Sequence, residues 1–247
     1  MEPHFQFFIF HFQLLIMLKT ILADFLHLIY PHNCEGCGSD NLNKDSFLCA
    51  RCLAELPETG FINVADNPIE QKFYGRIKVE QAGAGFYFTK HGLLQHLIAQ
   101  LKYKKNQSIG LYLGKLIGYQ LLATSRFDKV EALIPLPLNI EREKLRGYNQ
   151  SQLISEGINS VWQKPILKNV IERTKDTLTQ TRLHADNRWE NVSGAFKNID
   201  CVQLKGMHVA LIDDVITTGA SIESCGSELL KIEHLKLSVI SVGFASL

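Results

Sequence analysis

The sequence lacks a charge excess: 26 lysines and arginines stand against 25 aspartates and glutamates, a net charge of +1. No global field therefore draws the chain to nucleic acid or to an anionic membrane, and any such role must rest on local patches. A membrane-spanning run is also missing. The most apolar stretch, FQFFIFHFQLLIML at residues 5–18, is broken by Gln6, His11 and Gln13, whereas a spanning helix needs about 20 predominantly apolar residues. It has neither a basic start nor a small-residue cleavage site, so it does not read as a secretory signal. No G-x-x-x-x-G-K-[ST] occurs, which argues against a P-loop nucleotidase. Internal repeats and low-complexity tracts are absent.

What is present is a chain of 247 residues, 46% of them hydrophobic, enough for one large domain or a medium domain with a small one. A second methionine, Met17, opens the amphipathic segment MLKTILADFLHLIYPHNC. Residues 1–16 are expected to be an extension from a misplaced start codon. The alternative is a membrane-touching arm, without stable insertion in either case. Residues 17–57 hold a helix-like segment and a cysteine cluster and form the first module. Residues 58–247 form the second domain, with AGAGFYF (82–88) its first strand.

From residue 93 onward helix and strand patterns alternate. Leu93, Leu94, Leu97, Ile98 and Leu101 share one helical face, as do Leu113, Leu116, Ile117 and Leu121, and Leu153, Ile154, Ile158, Val161 and Trp162. Between them lie the short apolar runs VEALIPLPL (130–138), MHVALIDDV (207–215) and LSVISVGFA (237–245). Short apolar strands between helices imply an α/β fold with a mostly parallel sheet covered on both faces. The stretch 172–196 is polar and weakly periodic, and resists assignment.

CEGCGSDNLNKDSFLCARC contains Cys34, Cys37, Cys49 and Cys52 as two Cys-x2-Cys pairs eleven residues apart. Two such knuckles can surround one Zn2+ tetrahedrally, and four thiolates leave no open position, so the metal would be structural. Gly36 and Gly38 leave backbone amides free to reach sulfur. The competing reading is four unrelated buried cysteines. With no export signal, a reducing cytoplasmic location is expected, where disulfides are disfavoured. Cys225 falls on a helical face with Ile222 and Leu229 and reads as core.

VALIDDVITTGAS, residues 209–221, asks why two carboxylates precede a run of small and hydroxylated residues. VALI reads as a buried strand with Asp213 and Asp214 at its carboxyl end, the edge where ligands sit in open α/β sheets. Thr217, Thr218, Gly219, Ala220 and Ser221 then form a turn into a helix beginning near Ser221. Their amides and hydroxyls can cradle a phosphate. The carboxylates suit vicinal hydroxyls, or help to hold Mg2+ through water. Phosphate at one end and a diol at the other describe a ribose 5-phosphate. The plain alternative is a strand–turn–helix with capping hydroxyls.

The Asp-Asp pair followed by Thr-Thr-Gly-Ala-Ser resembles the ribose-phosphate loop of type I phosphoribosyltransferases. PLPLNIEREKLRGYNQSQLI (135–154), ERTKDTLTQTRLHADNRWENVSGAF (172–196), LKYKKNQSIG (101–110) and the four-cysteine knuckle extend the likeness to the competence protein F (ComF) family. It runs from about Met17 to Leu247. The resemblance implies a type I phosphoribosyltransferase-like domain behind a zinc module of double zinc ribbon or treble-clef type, and a role in DNA uptake during natural transformation. It also implies phosphoribosyl pyrophosphate with Mg2+ as ligand, the pyrophosphate held by Arg142, Lys144 and Arg146 after the strand near Leu138. Taken alone, those three cations read as a solvated face. Arg173, Lys175, Gln180, Arg182, Arg188 and Asn191 match the family's pattern in a flexible loop that closes over the site and excludes water. Three functions stand: a phosphoribosyltransferase acting in DNA uptake, a non-catalytic module binding single-stranded DNA or other competence proteins, and nucleobase salvage. Lys102, Lys104, Lys105 and the 142–146 cluster are the candidate DNA contacts.

Overall fold

The computed structural model describes residue 17 and residues 33–40, 42, 46–174, 195–199 and 202–246. The chain divides into two compact units, Met1–Ala54 and Glu55–Leu247. The proposed extension at 1–16, most of the amphipathic segment after it, and Cys201 lie outside the described residues. In the first unit, helix α1 (Ala50–Ala54) begins within the second cysteine knuckle and carries Cys52.

The second unit is built on four parallel strands: β1 (Ala82–Tyr87), β2 (Ala132–Pro135), β5 (His208–Ile216) and β6 (Lys236–Phe244), in the order β1-β6-β5-β2. β5 pairs with β6 from His208 opposite Lys236 to Ile216 opposite Phe244. Nearly every residue of these strands is buried, as a sheet covered on both faces requires. The expected architecture is therefore observed: a parallel sheet with flanking helices in one unit, and a four-cysteine cluster in the other.

Helices α3 (Leu93–Tyr103), α4 (Gln107–Leu122) and α6 (Gln150–Trp162) take the three apolar faces read from the spacing. Helices α4 and α6 pack backbone to backbone: a Cβ on Gly114 would lie 2.2 Å from the carbonyl oxygen of Ile154. The odd-numbered side of β5 joins a core of Val209, Leu211, Ile222, Cys225 and Leu229, so helix α7 (Ala220–Leu229) covers that face. Ile69 and Phe73 of helix α2 (Pro68–Phe73) belong to the same core. So do Ile171 and Phe196, from the antiparallel strands β3 (Ile171–Arg173) and β4 (Phe196–Asn198). Among the described residues, no helix is long and apolar enough to cross a membrane.

Two local readings are corrected. β5 does not stop at Ile212 but runs through the acidic pair to Ile216, because Asp213, Val215 and Ile216 keep their register with Ser241, Gly243 and Phe244. And the strand before the three cations does not reach Leu138: β2 ends at Pro135, and residues 140–146 form helix α5 (Ile140–Arg146). Asn139 caps it by accepting from the Glu141 and Arg142 amides, and Gly147 ends it at φ 86°. Glu141 and Glu143 in the first turn and Lys144 and Arg146 in the last complement the helix dipole.

Candidate functional site

The four cysteine sulfurs lie within 4.8 Å of one another. A tetrahedral zinc with Zn–S bonds of about 2.3 Å sets its sulfurs about 3.8 Å apart, and Cys37 Sγ lies 3.8 Å from Cys49 Sγ. The amide of Cys49 donates to Cys34 Sγ at 3.2 Å, and that of Cys52 to Cys49 Sγ at 3.5 Å. Burial opposes ionisation of Cys34, but amides from Cys49, Cys37 and Gly36 outweigh it and draw the thiol down to about 6. Burial and the adjoining sulfurs push Cys52 up. Four thiolates cannot share this volume unless a cation compensates them, so the donor set fits a tetrahedral structural metal.

In the second unit, a cavity of about 280 Å3 opens beyond the carboxyl end of β5. Asp213, Thr217, Thr218, Gly219, Ala220 and Ser221 line it, together with Arg173 from β3. Six of the residues picked from the acidic strand and its loop thus face one space with Arg173, which was expected in the flexible loop but stands in strand β3, held by its pairing with Phe196. Gly219 adopts φ 79° as the N-cap of α7, a conformation open to glycine and costly for other residues. Its missing Cβ also makes room for Phe73, whose ring carbon would lie 3.0 Å from that atom. The Thr218 hydroxyl accepts from the Ala220 amide at 3.4 Å.

The two aspartates part company. Adjacent strand residues point to opposite faces, so Asp213 shares the side of Val209 and Leu211 and lines the cavity. Asp214, only 8% exposed, points to the other side and meets Lys102 of α3 at 2.6 Å. Lys102, read as a DNA contact, is engaged with this carboxylate. Burial first, and the charge of Asp214 second, push the Asp213 carboxyl up to about 7. The amide of Asp214 at 2.8 Å and the more distant Ser151 hydroxyl at 3.5 Å donate to it.

Arg173 is 8% exposed, with its guanidinium 5.4 Å from the Phe196 ring centroid. It also borders a second cavity of about 240 Å3, walled by Pro135, Leu138, Asn149 and Gln152 at the end of β2. Arg142, Lys144 and Arg146 are not brought to the first cavity. They lie on α5, beyond the carboxyl end of β2, the strand paired with β5. Arg146 donates to Gln150 Oε1 at 2.6 Å and stacks 5.8 Å from the Tyr103 ring. Lys175, Gln180, Arg182, Arg188 and Asn191 lie outside the described residues.

Sequence reading missed Ser224, Ala195 and Phe196 in the cavity wall, and Arg76 behind the loop. Arg76 donates to the Thr218 carbonyl at 3.1 Å and pairs with Glu223 in the first turn of α7. No local signal marks a partner 142 residues away.

No family model matches the chain, but curated relatives do. Competence protein F of Haemophilus influenzae is 29% identical over 207 residues, covering 82% of this chain and 80% of that one. DNA utilization protein YhgH of Salmonella typhi is 30% identical over 206 residues, covering 80% and 78%. Among solved structures, adenine phosphoribosyltransferase from Leishmania tarentolae aligns with 76% of this chain and 94% of its own, at 10% identity and a TM-score of 0.38. With a four-cysteine unit, a parallel sheet carrying an Asp-Asp strand, and relatives matched along most of their length, the chain belongs to the competence protein F (ComF) family.

Proposed function

We propose that the Glu55–Leu247 unit binds phosphoribosyl pyrophosphate with Mg2+, in a protein that serves DNA uptake. The observation that carries this reading is the convergence of Asp213, residues 217–221 and Arg173 on one cavity. The loop and the N-terminus of α7 supply amides and partial positive charge for the 5-phosphate. Asp213, once ionised, accepts hydrogen bonds from the ribose hydroxyls, and Asp214 fixes the strand from behind through Lys102. Arg173 offers a planar fork to pyrophosphate oxygens. On this reading Arg142, Lys144 and Arg146 complete the pyrophosphate site, to which Lys175, Gln180, Arg182, Arg188 and Asn191 would add further cations and polar groups. Asp213 is the carboxylate that would hold Mg2+ through water, and the cation would neutralise pyrophosphate charge. Zn2+ on Cys34, Cys37, Cys49 and Cys52 would hold the first unit together. The link to DNA uptake draws on relatives named Competence protein F and DNA utilization protein YhgH.

Release of pyrophosphate from the ligand across a panel of nucleobases, nucleotides and DNA tests catalysis. Turnover with any acceptor supports a phosphoribosyltransferase, free nucleobases alone point to salvage, and silence across the panel leaves a binding module.

A specific observation favours single-stranded DNA as a partner. Tyr103 is 76% exposed, with the Arg146 guanidinium at its ring, Lys104 and Lys105 exposed directly after it, and Lys144 exposed two residues before Arg146. An aromatic face among cations is a stacking platform for a base, each worth about 1–3 kcal/mol. Tyr103→Ala should weaken single-strand binding by that amount, and wild-type affinity should fall as salt rises. Salt-independent binding, or none, would point to a protein partner.

A further inference from the structure

The segment Pro68–Ile77 carries no motif, yet its end is built against the candidate phosphate loop. Phe73 fills the space beside Gly219. Gly75, at φ 72°, turns the chain so that Arg76 doubles back on Phe73, its amide donating to the Phe73 carbonyl at 3.0 Å. The Arg76 guanidinium then makes three contacts. Nη1 donates to the Lys72 carbonyl at 3.3 Å and to the Thr218 carbonyl at 3.1 Å, and Nη2 pairs with the Glu223 carboxylate. Both side chains of that ion pair are largely buried.

Each contact bears on an anion at residues 217–221. In a trans peptide the N–H points opposite to the preceding C=O. Holding the Thr218 oxygen toward Arg76, which does not line the cavity, therefore turns the Gly219 N–H away from Arg76. Glu223 poses a second problem. Its carboxylate lies in the first turn of α7, where it suits the helix dipole but repels any phosphate arriving at the same end. A guanidinium paired with it cancels that repulsion.

We propose that Arg76 is a positioning residue for the phosphate loop: it fixes the Thr218–Gly219 peptide and neutralises Glu223, so that residues 217–221 accept a phosphate monoester. This role rests on the phosphoribosyl reading above. It assigns no contact between Arg76 and the ligand.

The test is calorimetric titration of the full-length protein with ribose 5-phosphate and, separately, with inorganic pyrophosphate, each in Mg2+. Arg76→Ala should weaken ribose 5-phosphate about tenfold or more, the scale of one lost charge-assisted hydrogen bond. Its pyrophosphate affinity should stay within about twofold of wild type, since that group sits elsewhere. Adding Glu223→Gln to Arg76→Ala should recover part of the loss by removing the unpaired carboxylate. Arg76→Lys should fall between, keeping the charge without the fork. A purely structural arginine would lower melting temperature and both affinities together, with no rescue by Glu223→Gln, and that result would overturn the proposal. So would an Arg76→Ala protein that binds ribose 5-phosphate as wild type does. A wild-type protein that binds neither probe would remove the phosphoribosyl reading itself, and the role of Arg76 with it.

Discussion

Asp213→Asn separates the ligand role of this residue from its structural one. Burial and the neighbouring Asp214 raise the carboxyl from 3.8 to about 7. Between those two values the folded protein keeps a proton that the unfolded chain has released. Stability therefore falls as pH rises across that window and levels off above it. The displacement corresponds to about 4 kcal/mol at most. Asparagine retains an acceptor for the Asp214 amide, now 2.8 Å from the carboxylate, but does not ionise. In urea unfolding at pH 5 and pH 8, wild type should lose stability between the two, and Asp213→Asn should lose less. At pH 8 the variant should be the more stable protein. Its affinity for phosphoribosyl pyrophosphate should nonetheless drop about one to two orders of magnitude, because the charged acceptor for the ribose hydroxyls is gone. Wild-type affinity should also rise with pH through about 7, with the variant as control for titration of the ligand. Equal pH slopes, or a variant less stable than wild type at pH 8, would refute the reasoning.

Three further perturbations probe the parts around this residue. Lys102→Met strands the Asp214 carboxylate and should cost roughly 2–3 kcal/mol in denaturant unfolding, with Lys102→Met/Asp214→Leu less destabilised than the single change. Gly219→Val should lower stability by about 2 kcal/mol, from positive φ and contact with Phe73, and should abolish ribose 5-phosphate binding, read by the same titration. The added side chain meets Phe73 rather than the phosphate space, so the loss comes through loop geometry. Cys34→Ser should remove one zinc per chain by metal analysis and lower the thermal stability of the first unit.

The sheet was legible in the sequence because its strands are unbroken apolar runs, and the helices because their apolar residues recur at helical spacing. The acidic motif was legible too, but its division of labour was not. Treating Asp213 and Asp214 as one feature at a strand end hid the fact that β5 continues, and a continuing strand must send neighbours to opposite faces. Helix α5 is encoded by its cap Asn139, the glutamates of its first turn and Gly147 at its end, not by an apolar period, since none of its residues is buried. Strands β3 and β4 have three residues each, too few for any period to show. Arg76 and Lys102 acquire meaning only from partners far along the chain, which no local pattern encodes.

The central claim is that the cavity at the end of β5 holds phosphoribosyl pyrophosphate. The most direct measurement is its titration, with Mg2+, into the wild-type and Asp213→Ala proteins, followed by calorimetry. Saturable binding with one site per chain is predicted for wild type, weakened about ten- to hundredfold in the variant. Absence of binding to wild type, or identical binding to both proteins, would contradict the account.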